Sequence, residues 1–127
     1  MQPNTISVRE NIKELRSWAK ENLLGRTVQH PEFPKAIHFT SSGVKEFLNQ
    51  PHRNFFEKNE MIKTITIDIP QSSIIDNAPD LKGNENLHYY YLKTTVAGNK
   101  SYFVIRYDKK EETYTLYSIV DRIWKNR

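Results

Sequence analysis

The chain has 127 residues, which is enough for one domain with a single hydrophobic core, and we expect residues 1–127 to form that one domain. It contains no cysteine, so disulfides and thiolate metal sites are excluded. Its net charge of +4 favours polyanionic partners. No apolar run approaches the ~20 residues that a membrane span needs. Residues 1–7 also lack the basic and apolar regions of a signal peptide, so we expect no membrane association.

The first predicted helix begins with a capping box. Ser7 is its N-cap residue, and Glu10 is placed to reach back to it. Gly25 is a good stop signal for the helix. Between them, apolar residues recur at helical spacing: Val8, Ile12, Leu15, Trp18, Ala19 and Leu23. The polar side of this helix carries a basic stripe, which in most helices is solvated surface: Arg9, Lys13, Arg16 and Lys20.

A loop, a short strand and a second helix are predicted next. Residues 26–35 hold two prolines and are predicted to be a loop with a short extended piece at residues 27–29. Ala36 to Phe39 is expected to form a brief strand. The hydroxyl groups of residues 40–42 can cap the second helix. That helix has an apolar face formed by Val44, Phe47 and Leu48.

Pro51 interrupts the second helix, and a third helix is expected from about residue 53 to residue 60, burying one of its two phenylalanines. Residues 64–69 alternate between apolar and polar side chains, which predicts a half-buried strand. The apolar side of that strand would carry Ile65, Ile67 and Ile69. Residues 70–86 are predicted to be a long connection with a short strand or turn at residues 73–76.

The last third of the chain predicts only strands. Residues 87–96 and 100–107 flank Gly98-Asn99, a two-residue turn typical of β-hairpins. A charged turn then leads to a third strand at residues 113–120. Both faces of these strands carry bulky groups, so one face is expected to pack on the helices. The predicted fold class is therefore α+β, with N-terminal helices packed on a C-terminal antiparallel β-meander.

Three histidines and one lysine are the candidates for proton transfer or phosphate binding, although each could also be a plain surface or capping residue. His38 lies between two apolar neighbours on the predicted strand, so it is expected to point outward beside the open N-terminus of the second helix. Lys45 lies in the first turn of that helix, where a cation is unfavourable unless an anionic ligand is present. His52 follows the helix interruption, and His88 opens the first strand of the meander. We expect no role for His30.

RNA cleavage without a metal ion suits these residue types. The reaction needs a base for the 2′-hydroxyl proton, an acid for the leaving 5′-oxygen and a cation for the phosphorane. Histidine suits both proton roles because its pKa lies near neutrality. The histidines show no zinc-ligand spacing, and there is no phosphate loop or dinucleotide fingerprint, so we expect neither a metal nor a cofactor. The hypothesis assigns catalysis to His38, Lys45, His52 and His88.

Four further residues are expected to bind substrate. Lys58 lies in the third helix, where we expect a solvated side chain. Arg106 lies on the second meander strand, and Tyr117 and Ser118 lie on the third; strand register could bring His88 close to Arg106 or Ser118. Tyrosine and arginine on a sheet face can stack on unpaired bases, although strand tyrosines are more often core residues or cross-strand partners.

The layout of residues 36–120 resembles the barnase/EndoU/colicin/RelE-like (BECR) nuclease superfamily, particularly its phage and polymorphic-toxin branch. The stretches that carry the resemblance are Ile37-His-Phe-Thr-Ser-Ser-Gly-Val-Lys-Glu-Phe47, Lys58-Asn59, His88-Tyr89-Tyr90, Gly98-Asn-Lys-Ser-Tyr-Phe-Val104 and Leu116-Tyr117. The resemblance implies helices before a twisted antiparallel sheet and a metal-independent endoribonuclease, often a toxin acting on tRNA or mRNA. The chain departs from the barnase pattern because no glutamate clearly stands in the place of its general base.

The resemblance also implies partners and a site of action. The partners would be an RNA substrate and an acidic immunity or antitoxin protein, and the RNA would be cleaved in the cytoplasm after delivery as part of a larger secreted or phage protein. Two other readings remain open. The chain could be a nucleic-acid-binding module without catalysis, using its basic helix and tyrosine-bearing sheet. It could also be a protein-interaction domain of a mobile element, with incidental histidines.

Overall fold

The computed structural model describes residues 7–123, which contain four α-helices and six β-strands. The helices are α1 (Val8–Asn22), α2 (Ser41–Asn49), α3 (Phe55–Glu60) and α4 (Ile65–Gln71), with a 3₁₀ turn at Met61–Lys63 between the last two. The strands are β1 (Thr27–Val28), β2 (Ile37–His38), β3 (Ser73–Pro79), β4 (Leu87–Val96), β5 (Asn99–Asp108) and β6 (Thr113–Val120). The α+β prediction is confirmed.

All six strands belong to one mixed sheet with the order β1-β2-β6-β5-β4-β3. The C-terminal strands β4, β5 and β6 pair antiparallel, as the meander prediction required. The short strand β2 instead pairs parallel to β6. Because β2 is only two residues long, α2 follows at once and packs beside the rest of β6. The first turn of α2 therefore lies next to the C-terminal end of β2.

Local capping determines where the first two helices begin. The Ser7 hydroxyl accepts a hydrogen bond from the Glu10 backbone N–H at 3.1 Å, and it donates to the Glu10 carboxylate at 3.0 Å. Thr40 caps α2 in the same way, since its hydroxyl accepts from the Gly43 N–H at 3.1 Å. The predicted starts of both helices are thus confirmed.

The strand predicted at residues 64–69 is wrong, because these residues belong to α4. Ile65 and Ile69 are fully buried, whereas 61% of Ile67 is exposed. An alternating pattern of three isoleucines contains a pair at i and i+4, and that pair shares one helix face. The connection predicted at residues 70–86 is also shorter than expected, because β3 occupies residues 73–79.

The core lies between the helices and one face of the sheet. Strand β5 shows the division: Phe103 and Ile105 are fully buried in the core, whereas Arg106 points to the opposite side. Other core residues from the helices and the neighbouring strands are Leu15, Ala19, Phe47, Leu48, Leu92, Val96, Leu116 and Ile119. We call the opposite side the outer face. Within residues 7–123, no helix combines the length and the apolar character needed to cross a bilayer.

Candidate functional site on the outer sheet face

Strand register places four side-chain positions in one row across the outer face. His38 of β2 pairs with Thr115 of β6, Thr115 pairs with Arg106 of β5, and Arg106 pairs with Tyr89 of β4. Neighbouring strands lie about 4.8 Å apart, so the His38 and Arg106 backbones are separated by about 10 Å. The row brings an imidazole, a hydroxyl, a guanidinium and a phenol onto one surface.

Arg106 is the cationic centre of this surface. Its guanidinium carbon lies 5.1 Å from the centroid of the Tyr117 ring, a cation–π contact that holds the side chain across the sheet. The Arg106 Nε atom is buried without a hydrogen-bond partner, and no carboxylate within residues 7–123 forms a salt bridge with Arg106. An arginine without a carboxylate partner is available to an anionic ligand.

A small cavity of about 210 Å³ opens where the start of α2 meets this row. The polar groups that line it are Thr40, Ser42, Glu46, Arg106, Thr115 and Tyr117. The N–H groups of Ser41 and Ser42 lie in the first turn of α2 and have no intrahelical acceptor. The cavity thus combines a carboxylate, a guanidinium, hydroxyl groups and a helix N-terminus, a set that can bind a phosphate and move a proton.

Sequence reasoning missed Glu46. The signal that could have found it is helical spacing, because Ser42 and Glu46 lie one turn apart on the face of α2 opposite its apolar residues. Glu46 is exposed, and its negative charge adds to the burial that raises the pKa of Tyr117. Glu46 lines the same cavity as Arg106, so its carboxylate could act as a general base there.

An aromatic cleft of about 320 Å³ lies on the outer face beside Tyr117, the ring that Arg106 contacts. The rings that line it belong to Tyr89, Tyr91 and Tyr117, and the Tyr89 and Tyr117 centroids lie 5.3 Å apart. Ser118 also lines the cleft, and its hydroxyl donates to the Gln50 amide oxygen at 3.1 Å. A β-bulge brings Tyr117 and Ser118 to the same face, because Val104 pairs with Ser118 whereas the next residue of β5 pairs with Leu116.

The tyrosines of this cleft remain protonated at neutral pH. Burial raises the pKa of Tyr89 to about 12, and the neighbouring Asp80 carboxylate contributes to that shift. The Tyr89 hydroxyl donates to Asp80 at 3.1 Å. Burial also raises the pKa of Tyr91. These rings can therefore stack and donate hydrogen bonds, but they cannot serve as bases.

The four residues predicted to be catalytic do not share one cleft. His38 is exposed on the outer face, whereas Lys45 points from α2 toward α1. His52 contacts Ser101 near one end of β5, and His88 pairs with Tyr107 near the other end. Ser101 and Tyr107 are six positions apart, which corresponds to about 20 Å along a strand. Catalysis by each of these four residues stays a prediction.

His88 lies on the core side of its strand, whereas Arg106 and Ser118 lie on the outer face. Its ring centroid is 5.2 Å from that of Tyr90, and its Nε2 atom is 2.8 Å from the Asn77 side-chain oxygen. The expectation that register would bring His88 close to Arg106 or Ser118 is therefore wrong. Tyr89 pairs with Arg106 instead, and a difference of one residue moves a side chain to the other face.

His52 is held as a neutral hydrogen-bonding residue. Its Nδ1 atom accepts from the Asn54 backbone N–H at 2.9 Å, so the proton lies on Nε2 and is donated to the Ser101 hydroxyl at 2.8 Å. Burial lowers the pKa of His52; Lys58 acts in the same direction, and Asp121 opposes them. Ser101 is fully buried, so this pair connects the α2–α3 segment to β5 and does not present a nucleophile to solvent.

His30 is also buried. Its Nδ1 atom accepts from the Glu32 backbone N–H at 3.0 Å, so Nε2 donates to the Ser72 carbonyl at 2.7 Å. These bonds join the loop before β2 to the end of α4.

Lys58 is buried, which contradicts the expectation of a solvated side chain. Its Nζ atom donates to the carbonyl oxygens of Phe47 at 2.7 Å and Leu48 at 3.3 Å, and it lies 4.4 Å from the Phe55 ring centroid. The residue has no exposed surface, so it does not reach a ligand in this conformation. A signal for burial was present, because Lys58 lies between Phe55 and Ile62 at the i+3 and i+4 spacing of one helix face.

Comparison with known proteins gives a family and no relative of known structure. No curated protein and no solved structure matches this chain. The family model described as large polyvalent protein-associated domain 3 matches residues 7–117. That description fits the expectation that a larger protein carries the domain, and it names no nuclease, so the BECR resemblance stays a prediction. Because the match covers most of this chain of 127 residues, the chain belongs to the large polyvalent protein-associated domain 3 family.

Proposed function

We propose that this domain is a metal-independent endoribonuclease of the BECR type, which binds and cleaves single-stranded RNA on its outer face. The observation that supports this proposal most directly is the position of Arg106. Within the small cavity and the adjoining strand row, Arg106 has a carboxylate (Glu46), an imidazole (His38), hydroxyl groups and a helix N-terminus around it. These are the groups that cleavage by 2′-hydroxyl attack requires.

The proposed roles follow from position. Glu46 removes the 2′-hydroxyl proton, and the resulting 2′-oxygen attacks the phosphorus. Arg106 and the first turn of α2 stabilise the charge of the phosphorane. His38 in its protonated form gives a proton to the departing 5′-oxygen, which leaves a 2′,3′-cyclic phosphate and a 5′-hydroxyl. His38 keeps the catalytic role and Arg106 the substrate-binding role that the sequence predicted, whereas Glu46 takes the place of Lys45, His52 and His88 in the proposed catalysis.

The aromatic cleft supports single-stranded RNA as the substrate. Unpaired bases stack on tyrosine rings, and each stacked base contributes about 1–3 kcal/mol to binding. Tyr89, Tyr91 and Tyr117 line a cleft that begins next to Arg106, so a base could occupy the cleft while its phosphate lies at the guanidinium. The unpaired loops of tRNA are substrates of this kind.

The test is to incubate the purified protein with total tRNA in EDTA and to map new RNA ends. We expect 2′,3′-cyclic phosphates and 5′-hydroxyls, with at least a hundred-fold loss of rate in Arg106→Ala and Glu46→Gln. The matched control is His88→Ala, a histidine on the opposite side of the sheet, which should retain nearly full activity. Equal losses in His88→Ala and Glu46→Gln would contradict the assigned roles.

A second candidate function is RNA binding without cleavage. It is favoured by the aromatic cleft beside an arginine, because stacking and phosphate binding need no proton transfer. Salt-sensitive binding of single-stranded RNA that Tyr117→Ala weakens, together with no new ends after prolonged incubation, would select this function over cleavage.

The wider setting is also proposed. The six described strands form one sheet, and the described helices and strands share one core. This arrangement supports the proposal that residues 1–127 act as one nuclease domain. We propose a cytoplasmic RNA as the target and an acidic immunity or antitoxin protein as the inhibitor. An acidic protein that abolishes cleavage at an equimolar amount would support the latter.

A further inference from the structure

A second surface, separate from the outer face, lies between α1 and α2. It is a groove of about 850 Å³. Five cationic side chains line it: Arg9, Lys13, Arg16, Lys20 and Lys45. All five are exposed, and none forms a salt bridge with an acidic residue within residues 7–123. The basic stripe predicted on α1 therefore joins Lys45 of α2 to form a single unneutralised patch.

The floor of this groove is apolar. Ile12 and Leu24 are partly buried against the core, and Val44 is buried. Val8 is 51% exposed at one end of the groove. None of the residues that line the groove is aromatic. The groove thus has an aliphatic strip with four cations on the α1 side and Lys45 on the α2 side, which differs from the tyrosine-lined cleft of the outer face.

We propose that the groove between α1 and α2 binds an acidic amphipathic helix of a partner protein. An aliphatic floor accepts the apolar stripe of such a helix, and the flanking cations complement carboxylates on either side of the stripe. The 15 residues of α1 extend for about 22 Å, which matches a partner helix of about four turns.

RNA fits this groove less well than a helix does. RNA offers phosphates, which need donors, and base faces, which need rings for stacking. The five cations of the groove could bind phosphates, but its aliphatic floor offers no ring on which a base could stack. A second copy of this chain is also disfavoured, since its net charge of +4 repels the same five cations.

The probe is a synthetic peptide of about 18 residues made of Leu, Glu and Ala, with leucines at helical spacing. A peptide of the same composition with scattered leucines is its control, and a uridine-rich single-stranded RNA is the competing ligand. Fluorescence anisotropy measures all three affinities. We expect the patterned peptide to bind at least about ten-fold more tightly than the scrambled one, because only the patterned peptide buries its leucines.

Matched variants test the contribution of each part of the groove. Lys13→Glu with Arg16→Glu reverses two groove charges, whereas Lys100→Glu with Lys110→Glu makes the same change of net charge at exposed positions outside the groove. We expect the groove pair to weaken peptide binding by about ten-fold and the control pair by less than about two-fold. Val8→Gln should weaken it by about three-fold, because it removes part of the apolar floor.

Three results would overturn the proposal: equal affinity for both peptides, equal effects of the two charge-reversal pairs, or no effect of Val8→Gln. RNA binding that depends on Lys13 and Arg16 while the patterned peptide fails to bind would assign the groove to RNA. Because peptide binding needs no residue of the outer face, this test stands even if the chain proves unable to cleave RNA.

Discussion

Lys58 and Asn59 are buried polar residues of α3 whose side chains form hydrogen bonds with α1 and α2. The Lys58 amine donates to the Phe47 and Leu48 carbonyls in the last turn of α2, and the Phe47 carbonyl also accepts from the Gln50 N–H at 3.4 Å. The Asn59 amide donates to Leu48 of α2 at 3.1 Å and to Asn11 of α1 at 2.8 Å. Both side chains are fully buried, so α3 is held to its neighbours by hydrogen bonds that water does not replace.

Lys58 should make folding stability depend on pH. Burial lowers its pKa from 10.5 to about 7. Between these two values the unfolded chain holds a proton that the folded chain has released, so the free energy of unfolding should rise as pH increases across this window. The upper limit of the contribution is about 1.4 kcal/mol per pH unit. Urea unfolding of the wild type and of Lys58→Met between pH 7 and 9.5 measures it.

We expect the rise to be smaller in Lys58→Met. Lys110→Met, at an exposed position, is the control and should retain the wild-type slope. Parallel curves for the wild type and Lys58→Met would show that Lys58 stays charged in the folded protein, held by the two carbonyl groups and the Phe55 ring.

At the scale of elements, the contact between α2 and β6 positions the candidate site. Gly43 lies so close to β6 that a Cβ atom at this position would collide with the Leu116 carbonyl oxygen. This approach lets the polar face of α2, with Ser42 and Glu46, reach the cavity that Arg106 lines. The absence of a side chain at Gly43 therefore permits α2 to pack closely on β6. Its backbone N–H donates to the Thr40 hydroxyl that caps the helix.

Gly43→Ala should destabilise the protein, although alanine normally stabilises a helix by up to about 1 kcal/mol relative to glycine. The added Cβ meets backbone, which cannot rotate away, so we expect a loss of about 1–3 kcal/mol. Asn49→Ala, an exposed position of the same helix, is the control and should change stability little. Thermal or urea unfolding measures both. An unchanged or raised stability of Gly43→Ala would mean that α2 can move from β6 at little cost.

Local patterns were enough to predict most elements but not the assembly of the site. Capping residues and strand alternation predicted α1, α2 and the three meander strands, because these signals depend on neighbours within a few residues. The alternation at Ile65, Ile67 and Ile69 fitted two structures, and only tertiary packing selected the helix. The row from His38 to Tyr89 depends on strand register, and the presence of Tyr117 and Ser118 on one face depends on a bulge, neither of which a single sequence specifies.

For the whole molecule, two separate surfaces combine cations with apolar groups. Arg106, Lys82 and Arg122 line the cavities of the outer face, whereas five cations line the groove between the first two helices. The two surfaces also differ in their apolar groups, with tyrosine rings on the outer face and aliphatic side chains in the groove. This difference is the basis on which we propose RNA as the ligand of the outer face and a protein helix as the ligand of the groove.

The salt dependence of RNA binding tests this division. The logarithm of the association constant for single-stranded RNA falls with the logarithm of salt concentration, with a slope of about −0.7 for each neutralised phosphate. If RNA lies on the outer face, Arg106→Ala should reduce the steepness of the slope by about 0.7. Fluorescence anisotropy titrations at salt concentrations between about 50 and 200 mM measure this slope.

The groove variant Lys13→Glu with Arg16→Glu supplies the comparison. Its two charges lie outside the outer face, so it should change the slope less than Arg106→Ala does, even though it alters the net charge more. The reverse order would mean that the RNA backbone follows the groove between α1 and α2. In that case the cations of the first helix would be the nucleic-acid interface, and the tyrosine cleft would need another ligand.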